Sequence, residues 1–205
     1  MRSDEYFLSR TIESYNATSS EYSQRFSTTI LEGHISRFQS MLPYGDMPVL
    51  DAGCGGGRDA VEMAGRGLRV VGVDLSEELL RVARTSGASN LVLSDIRRLP
   101  FRDSSFSGIW SCASLVHMPP TGLRKAVSEF KRLLVPNGIL FVTVRHGSGT
   151  EWREDGAGGA RWFQLYSASE VEDIVTECGF SIETSVVEPG LVRGKWVSVF
   201  AVGGS

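Results

Sequence analysis

The feature that most constrains this chain is an apolar run that ends in an acidic residue and a glycine-rich turn. Residues 49–59 read VLDAGCGGGRD, and apolar residues at helical spacing follow between Ala60 and Ala64. This pattern predicts a strand, a tight turn and the start of a helix. Glycine permits positive φ angles and lets a ligand approach the backbone closely. The first helical amides and the carboxylate of Asp51 should then face one small space, which predicts a nucleotide-type pocket.

The spacing of the glycines distinguishes two kinds of pocket. A dinucleotide fingerprint reads G-x-G-x-x-G. Counted from Gly53 and Gly55, its third glycine would fall on Arg58, whereas this chain has Gly57 instead. A helix N-terminus favours a pyrophosphate, but a carboxylate beside it does not. Asp51 therefore favours a ligand with a positive charge, and an NAD-dependent oxidoreductase is the less favoured interpretation.

The sequence VLDAGCGGG closely resembles the first motif of class I S-adenosylmethionine-dependent methyltransferases. In that family the turn and the acidic residue hold the amino acid end of the cofactor, whose sulfonium is cationic. The resemblance covers nearly the whole chain, most loosely over 1–45 and 147–165, and points to the small-molecule, type 11/25-like branch. It implies an α/β fold, a Rossmann-like, doubly wound, seven-stranded and mostly parallel sheet with a C-terminal antiparallel hairpin. Residues 1–205 would form one domain, with a helical lid over 1–45 and a core over 46–205.

Two further strand ends carry carboxylates. The apolar run over 68–73 ends at Asp74, about 20 residues past the first glycine, where an acidic residue can accept both ribose hydroxyls. A strand over 90–93 is followed by Asp95 and Ile96. Asp95 can accept from the exocyclic amine of adenine, and the backbone N–H of Ile96 can reach the ring nitrogen beside it.

The remaining chain alternates helices and strands as the resemblance requires. The predicted elements are a strand over 108–112, a helix over 123–134, a strand over 139–144, a helix from a capping box at Ser167 to Gly179, and antiparallel strands over 180–187 and 195–202. Residues 146–160 are rich in glycine and are interpreted as a flexible connection or a flap over the pocket. The Pro-Pro-aromatic cluster of base N-methylating enzymes is absent at 112–114, which argues against nucleic-acid bases as acceptors.

The N-terminal residues to about 45 show helical spacing with a break near 16–20, which predicts two helices. The second carries Tyr22, Phe26, Ile30 and Leu31 on one face. The run over 15–22 resembles the family's tyrosine-containing segment that folds over cofactor and substrate, although Tyr15 and Tyr22 could equally pack the helices. The full set of predicted cofactor contacts is Asp51, Ala52, Gly53, Cys54, Gly55, Gly57, Arg58, Asp74, Leu75, Ser94, Asp95, Ile96, Cys112, Ala113, Tyr15 and Tyr22.

Two histidines follow strand ends and are the candidate catalytic residues. His117 comes shortly after the fourth strand and His146 directly after the fifth. An imidazole that titrates near neutrality suits a general base, which is needed only if the acceptor must lose a proton. A packed ring for His117 and a solvated one for His146 are the alternatives. Three arginines could recognise an anionic substrate or lie in solvent; these are Arg145, Arg161 and Arg193.

Composition limits the remaining possibilities. The chain has 205 residues, a net charge of −3 and no Lys/Arg run, so we expect a single domain without nucleic-acid partners. Three scattered cysteines form neither a zinc pattern nor a disulfide framework, so we expect a cytoplasmic protein without a metal. No stretch is long and apolar enough to predict a membrane span. A homodimer through the C-terminal hairpin or the N-terminal helices is possible.

The favoured hypothesis is a methyltransferase that uses S-adenosylmethionine to methylate an oxygen or nitrogen of a small-molecule acceptor. Methyl transfer from a sulfonium is an in-line displacement, so alignment and exclusion of water can supply most of the acceleration. The alternative is a protein that binds S-adenosylmethionine without transferring its methyl group, because the motifs concern binding and not turnover.

Overall fold

A computed structural model describes residues 3–26, 31–154, 159–189 and 194–204. The helices are α1 (Ser3–Ala17), α2 (Ser19–Phe26), α3 (Glu32–Met41), α4 (Arg58–Gly65), α5 (Glu77–Thr85), α6 (Pro120–Leu133) and α7 (Ala168–Glu177), with a 3-10 turn over Leu115–His117. The strands are β1 (Val49–Ala52), β2 (Val70–Asp74), β3 (Leu91–Leu93), β4 (Phe106–Cys112), β5 (Leu134–Arg145), β6 (Thr150–Glu154), β7 (Ala160–Gln164), β8 (Phe180–Pro189) and β9 (Lys195–Gly203). Every helix in these ranges is too short or too polar to cross a bilayer.

A seven-stranded mixed sheet forms the centre of the fold, in the order β3-β2-β1-β4-β5-β9-β8. The first five strands of this order are parallel, and β9 and β8 are antiparallel. Chain order reverses at β1, since β2 pairs with one edge and β4 with the other. Ligands of open α/β sheets bind beyond the carboxyl ends of the strands at such a reversal. The Rossmann-like fold predicted from the sequence is confirmed.

Helices cover both faces of this sheet, so β1 is buried along its whole length, and its residues are apolar without alternation except for Asp51. On one face α3 packs its buried Ile35 and Phe38, and the Phe38 ring lies 5.5 Å from that of Trp110 on β4. The sequence interpretation assigned residues 1–45 to a lid. In the structure α3 packs into the core, whereas residues of α1 and α2 line the cleft at the carboxyl ends of the strands.

The N-terminal segment differs from expectation in its number of helices. The break predicted near 16–20 lies between α1 and α2. The single second helix that was expected is instead two, because α2 ends at Phe26 and α3 begins at Glu32. Residues 27–30, which include Ile30, lie outside the described part of the chain.

The segment over 146–160 also differs from expectation, because most of it is regular. Strands β6 and β7 pair antiparallel as a separate hairpin, in which Glu151 lies opposite Phe163 and Arg153 lies opposite Arg161. Residues 155–158 lie outside the described ranges. The segments TEWRE and ARWFQ flank a glycine-rich stretch, which is a hairpin signal. The high glycine content suggested a flexible connection instead.

The turn between β1 and α4 needs glycine for two physical reasons. Gly53, Gly55 and Gly57 adopt φ angles of 84°, 52° and 82°, which side-chain-bearing residues rarely adopt. A Cβ on Gly57 would also lie 2.9 Å from the Cβ of Ala83 on α5. The amides of Gly53 and Cys54 both donate to the carbonyl of Val73, at 2.8 and 2.9 Å. The turn is therefore fixed to the end of β2.

We predict that Gly57→Ala lowers the free energy of unfolding by about 2 kcal/mol or more, through left-handed strain and crowding. Gly65→Ala in the same helix is the control, because its Cβ would meet open space at an ordinary φ. That variant should be stabilised by about 0.5 kcal/mol. Urea unfolding measures both, and equal effects of the two substitutions would contradict the role given to Gly57.

Candidate functional site

Two adjoining cavities lie beyond the carboxyl ends of β1, β2 and β4, with volumes of about 100 and 730 Å³. Their shared lining makes them one cleft, and it consists of Tyr15, Tyr22, Gly53, Gly55, Cys112, Ala113 and His117. The smaller cavity adds Asp74, Leu75, Ser94 and Ile96 among the predicted cofactor contacts. The larger adds Asp51, Cys54, Gly57 and Arg58. The cleft lies in the size range of small-molecule and cofactor sites.

Asp74 connects the end of β2 to the glycine turn. Its Oδ2 accepts from the amide of Gly55 and its Oδ1 from the amide of Ser76, each at 2.8 Å. Burial raises the pKa of this carboxyl, and the amide donors oppose that rise. Each carboxylate oxygen can accept a further hydrogen bond. The carboxylate of Asp74 therefore lies where it can accept hydrogen bonds from two neighbouring hydroxyls, such as those of a ribose.

Asp51 is the most strongly perturbed acid of the cleft. Its side chain is 2 % exposed, and its Oδ2 has no hydrogen-bond partner in the part of the chain that the structure describes. Burial raises its pKa well above the usual value, and the carboxylate of Asp59 adds to the rise while Arg58 opposes it. A buried acceptor that lines a cavity favours a positively charged ligand. The residues present therefore fit the amino acid end of a cationic cofactor.

Arg58 is held against α4 and β4. It donates from Nε and Nη2 to the two carboxylate oxygens of Asp59, at 2.7 and 2.8 Å. The indole of Trp110 donates to Asp59 at 2.9 Å, and Arg58 Nη2 lies 3.6 Å from the sulfur of Cys112. This bidentate pair fixes the guanidinium in the cleft wall. The sequence did not indicate a role in the site for Asp59 or Trp110, because these residues come together only in the folded chain.

Helices α1 and α2 form the outer wall of the cleft. The guanidinium of Arg161 lies over the rings of Tyr15 and Tyr22, 4.7 and 4.6 Å from their centroids. The amide of Trp162 donates to Thr11 Oγ1 at 3.1 Å. At the other side of α1, Asn16 Oδ1 accepts from the hydroxyl of Ser76 at 2.7 Å. The wall is thus tied both to the β6–β7 hairpin and to the start of α5.

His117 makes two hydrogen bonds that define its tautomer. Nδ1 lies 2.7 Å from the carbonyl of Trp162, which can only accept, so Nδ1 carries the proton. Nε2, at 2.9 Å from the hydroxyl of Tyr15, is then the acceptor. Burial lowers the pKa of His117 to about 4, so the ring is neutral at pH 7. The expectation that it titrates near neutrality is corrected by this burial, which the sequence did not reveal.

Several predicted site residues lie away from the lining of either cavity. His146 sits at the base of the hairpin, where its amide donates to the carbonyl of Lys195. The carboxylate of Asp95 accepts from Arg97, with Nε 3.0 Å from both oxygens. The carbonyl of Ala52 accepts a hydrogen bond from the hydroxyl of Ser114, at 2.9 Å. Arg193 lies outside the described residues.

Other lining residues had no signal in the sequence. From α1 these are Leu8, Thr11 and Ile12; from β4 onward they include Ser114, Met118, Arg153 and Phe163. Ser114 explains why residue 53 is glycine, because a Cβ on Gly53 would lie 2.2 Å from the Cβ of Ser114. The other residues come from elements far apart in the chain, so that no local pattern could have joined them.

Comparison with known proteins agrees with this fold. Residues 49–138 match the family described as a methyltransferase domain. A protein of Encephalitozoon cuniculi, whose name assigns it provisionally to the methyltransferases, is 30 % identical over 182 residues. These cover 79 % of this chain and 84 % of that protein. The class that the fold and site define is the class I S-adenosylmethionine-dependent methyltransferases, and this chain belongs to that family, in its small-molecule branch.

Two further relatives show the range of proteins that this chain resembles. The malonyl-(acyl-carrier protein) O-methyltransferase of Erwinia pyrifoliae is 38 % identical over 120 residues, 56 % of this chain but only 45 % of that protein. The solved 1,6-didemethyltoxoflavin-N1-methyltransferase of Burkholderia thailandensis, with bound 1,6-didemethyltoxoflavin and S-adenosylhomocysteine, matches with a TM-score of 0.73. The match covers 100 % of this chain and 92 % of the solved chain. At 19 % identity it shows a likeness of fold.

The raised pKa of Asp51 gives a prediction for stability against pH. The pKa of Asp51 is higher in the folded than in the unfolded state. The free energy of unfolding therefore falls as pH rises from the unfolded-state pKa through the folded-state pKa. Asp51→Asn should therefore be more stable than the wild type at pH 7 by about 1 kcal/mol. The difference should vanish as pH falls towards the usual carboxyl pKa, about 4.

Thermal unfolding of the ligand-free protein from pH 4 to 8 measures this difference. The matched control is Asp46→Asn, on an exposed side chain, which should leave the profile unchanged. If Asp51→Asn is less stable than the wild type at pH 7, the fold stabilises the carboxylate of Asp51 and its pKa is not raised.

Proposed function

We propose that this methyltransferase transfers its methyl group to an oxygen or a nitrogen of a small-molecule acceptor bound in the larger cavity. The observation that carries the proposal is the extension of the cleft beyond the glycine turn. Its 730 Å³ cavity is lined by Phe163 and Trp196 in addition to the turn and the tyrosines. Ligand sites of this type combine apolar walls with a few polar groups.

The predicted cofactor contacts fit S-adenosylmethionine by their chemistry. Asp74 would accept the ribose hydroxyls, Asp51 would face the amino acid end, and Ser94 and Ile96 would border the adenine. When bound, S-adenosylmethionine supplies the methyl group as a sulfonium. Tyr15 and Tyr22 would close the cleft and exclude water, which favours an alignment-driven displacement. The Erwinia pyrifoliae relative is named as an O-methyltransferase and the Burkholderia thailandensis protein of the same fold as an N1-methyltransferase, which supports oxygen and nitrogen alike.

We further propose that His117 and Tyr15 act together where the acceptor must lose a proton. The Tyr15 hydroxyl would take the acceptor's proton while passing its own to His117 Nε2, across the 2.9 Å hydrogen bond. Burial disfavours the imidazolium that would form, and the Trp162 carbonyl, which holds Nδ1–H, would offset part of that cost. His146 lies outside the lining of the cleft and is the weaker candidate.

The cofactor assignment can be tested by calorimetry with S-adenosylmethionine. Asp74→Asn should weaken binding by at least about ten-fold, because it removes charge-assisted acceptors for the ribose. Asp103→Asn, on an exposed acid, is the control and should bind like the wild type. Equal affinities of wild type and Asp74→Asn would remove the ribose assignment. Binding without transfer of radiolabelled methyl groups to any of a metabolite panel would favour the non-methylating alternative.

The proton-transfer proposal is tested on an acceptor that the wild type turns over. Tyr15→Phe and His117→Ala should each lower kcat by at least about ten-fold, while His146→Ala should leave it unchanged. Affinity for S-adenosylhomocysteine should stay near wild type in Tyr15→Phe, which separates chemistry from binding. If neither variant lowers kcat by that factor, catalysis rests on alignment alone.

A further inference from the structure

Ala113 lies directly after β4 in a backbone conformation that alanine rarely adopts. Its φ angle is 57°, in the left-handed region where a Cβ crowds the following carbonyl oxygen. In the described part of the chain, two other residues with side chains have positive φ angles, Ser104 and Asn137. Both are exposed, and the polar side chains of Ser and Asn can stabilise such turns by hydrogen bonds to the backbone. Alanine has no such group, and Ala113 lines the cleft.

The neighbours of Ala113 hold its backbone in this conformation. Its amide donates to the carbonyl of Thr143 on β5 at 3.1 Å, which continues the pairing of β4 with β5. The hydroxyl of the next residue, Ser114, donates to the carbonyl of Ala52 at 2.9 Å and lies 2.7 Å from the hydroxyl of Ser111. The chain therefore leaves the sheet at Ala113 and turns back towards the end of β1.

A glycine at residue 113 would relieve the strain, because glycine adopts positive φ angles without a steric cost. The left-handed positions of the neighbouring turn after β1 are all glycines, namely Gly53, Gly55 and Gly57. At residue 113 the side chain is kept although it costs conformational free energy. Strain of this kind is retained where the surrounding site uses it, and Ala113 is in the lining of the cleft.

The cofactor would bring its sulfur to the part of the cleft where Ala113 lies. Asp74, which would accept the ribose hydroxyls, lines the smaller cavity, and Asp51, which would face the amino acid end, lines the larger one. The sulfur of S-adenosylmethionine joins these two parts of the molecule, so it would lie where the two cavities meet. Ala113 lines both cavities, as do Cys112 and His117. It would therefore border the sulfur and the methyl group on it.

We propose that Ala113 is a specificity-determining residue, whose side chain limits the alkyl group on the cofactor's sulfur to methyl. The inference rests on the proposed function, because it needs the sulfur to lie where the cavities meet. The hydrogen bonds of Ala113 to Thr143 and of Ser114 to Ala52 fix the backbone, so the Cβ of Ala113 cannot withdraw. A group one carbon larger than methyl would then meet this Cβ, and overpacked contacts are costly because protein interiors are close-packed.

The test compares the affinities of the protein for S-adenosylmethionine and for its ethyl analogue, S-adenosylethionine, by calorimetry. The wild type should bind the methyl compound at least about ten-fold more tightly, which is the discrimination that one carbon atom gives in a close-fitting pocket. Ala113→Gly should bring the two affinities within about three-fold of each other. Its affinity for S-adenosylhomocysteine, whose sulfur carries neither alkyl group, should stay within about three-fold of the wild-type value.

Thermal unfolding of both proteins checks the strain. Ala113→Gly loses a contact with the core but gains relief from the left-handed conformation, so its Tm should not fall by more than about 3 °C. Ser104→Gly is the matched control, because Ser104 has a φ angle of 52° but is exposed near the start of β4, at the other end of the strand. This variant should keep the wild-type preference for the methyl compound.

The proposal is overturned if the wild type binds both compounds equally, or if Ala113→Gly keeps the wild-type preference. It is also overturned if Ser104→Gly loses the preference as well, since relief of strain anywhere in the chain would then account for the change. A larger fall in the Tm of Ala113→Gly would show that alanine is not strained at this position. A wild type that binds neither S-adenosylmethionine nor S-adenosylhomocysteine would instead reject the cofactor assignment, and with it the proposed function.

Discussion

The attachment of the glycine turn to the end of β2 is the interaction on which the site depends. Two amides of the turn donate to the carbonyl of Val73, and the next donates to the carboxylate of Asp74. These bonds hold the ends of β1 and β2 at a fixed separation. They also force positive φ angles on the turn, which only glycine adopts without strain. Asp51 and Asp74 face one cleft because this local geometry leaves them no other position.

The electrostatics of the cleft oppose stability in the ligand-free state. Burial raises the pKa of both Asp51 and Asp74, so each ionised carboxylate costs free energy that a cationic ligand would recover. Arg58 does not neutralise Asp51 fully, because its Nε and Nη2 donate to the carboxylate of Asp59. A site that is destabilised without its ligand and complementary to it when bound is a familiar compromise between stability and function.

The β6–β7 hairpin organises the outer part of the cleft. Through Trp162 it binds His117 by a carbonyl and Thr11 by an amide. Through Arg161 it stacks on the two tyrosines of the outer wall. The ring of Phe7 on α1 stacks on that of Trp162, 5.2 Å apart. The tautomer of His117, the position of the outer wall and the placing of Arg153 and Arg161 in the larger cavity thus depend on one small element outside the main sheet.

The sequence by itself determined the features whose causes are local. The glycine turn, the acids at the ends of β1 and β2 and the capping box at Ser167 could all be predicted, because each depends on residues a few positions apart. Only the tertiary structure decided the core position of α3, the hairpin over 150–164, the Arg58–Asp59–Trp110 contacts and the protonation of His117. Each of these depends on burial or on partners distant in the chain, such as Trp162 for His117. Desolvation and long-range pairing arise only when the chain is folded, so they cannot be predicted from a local pattern of residues.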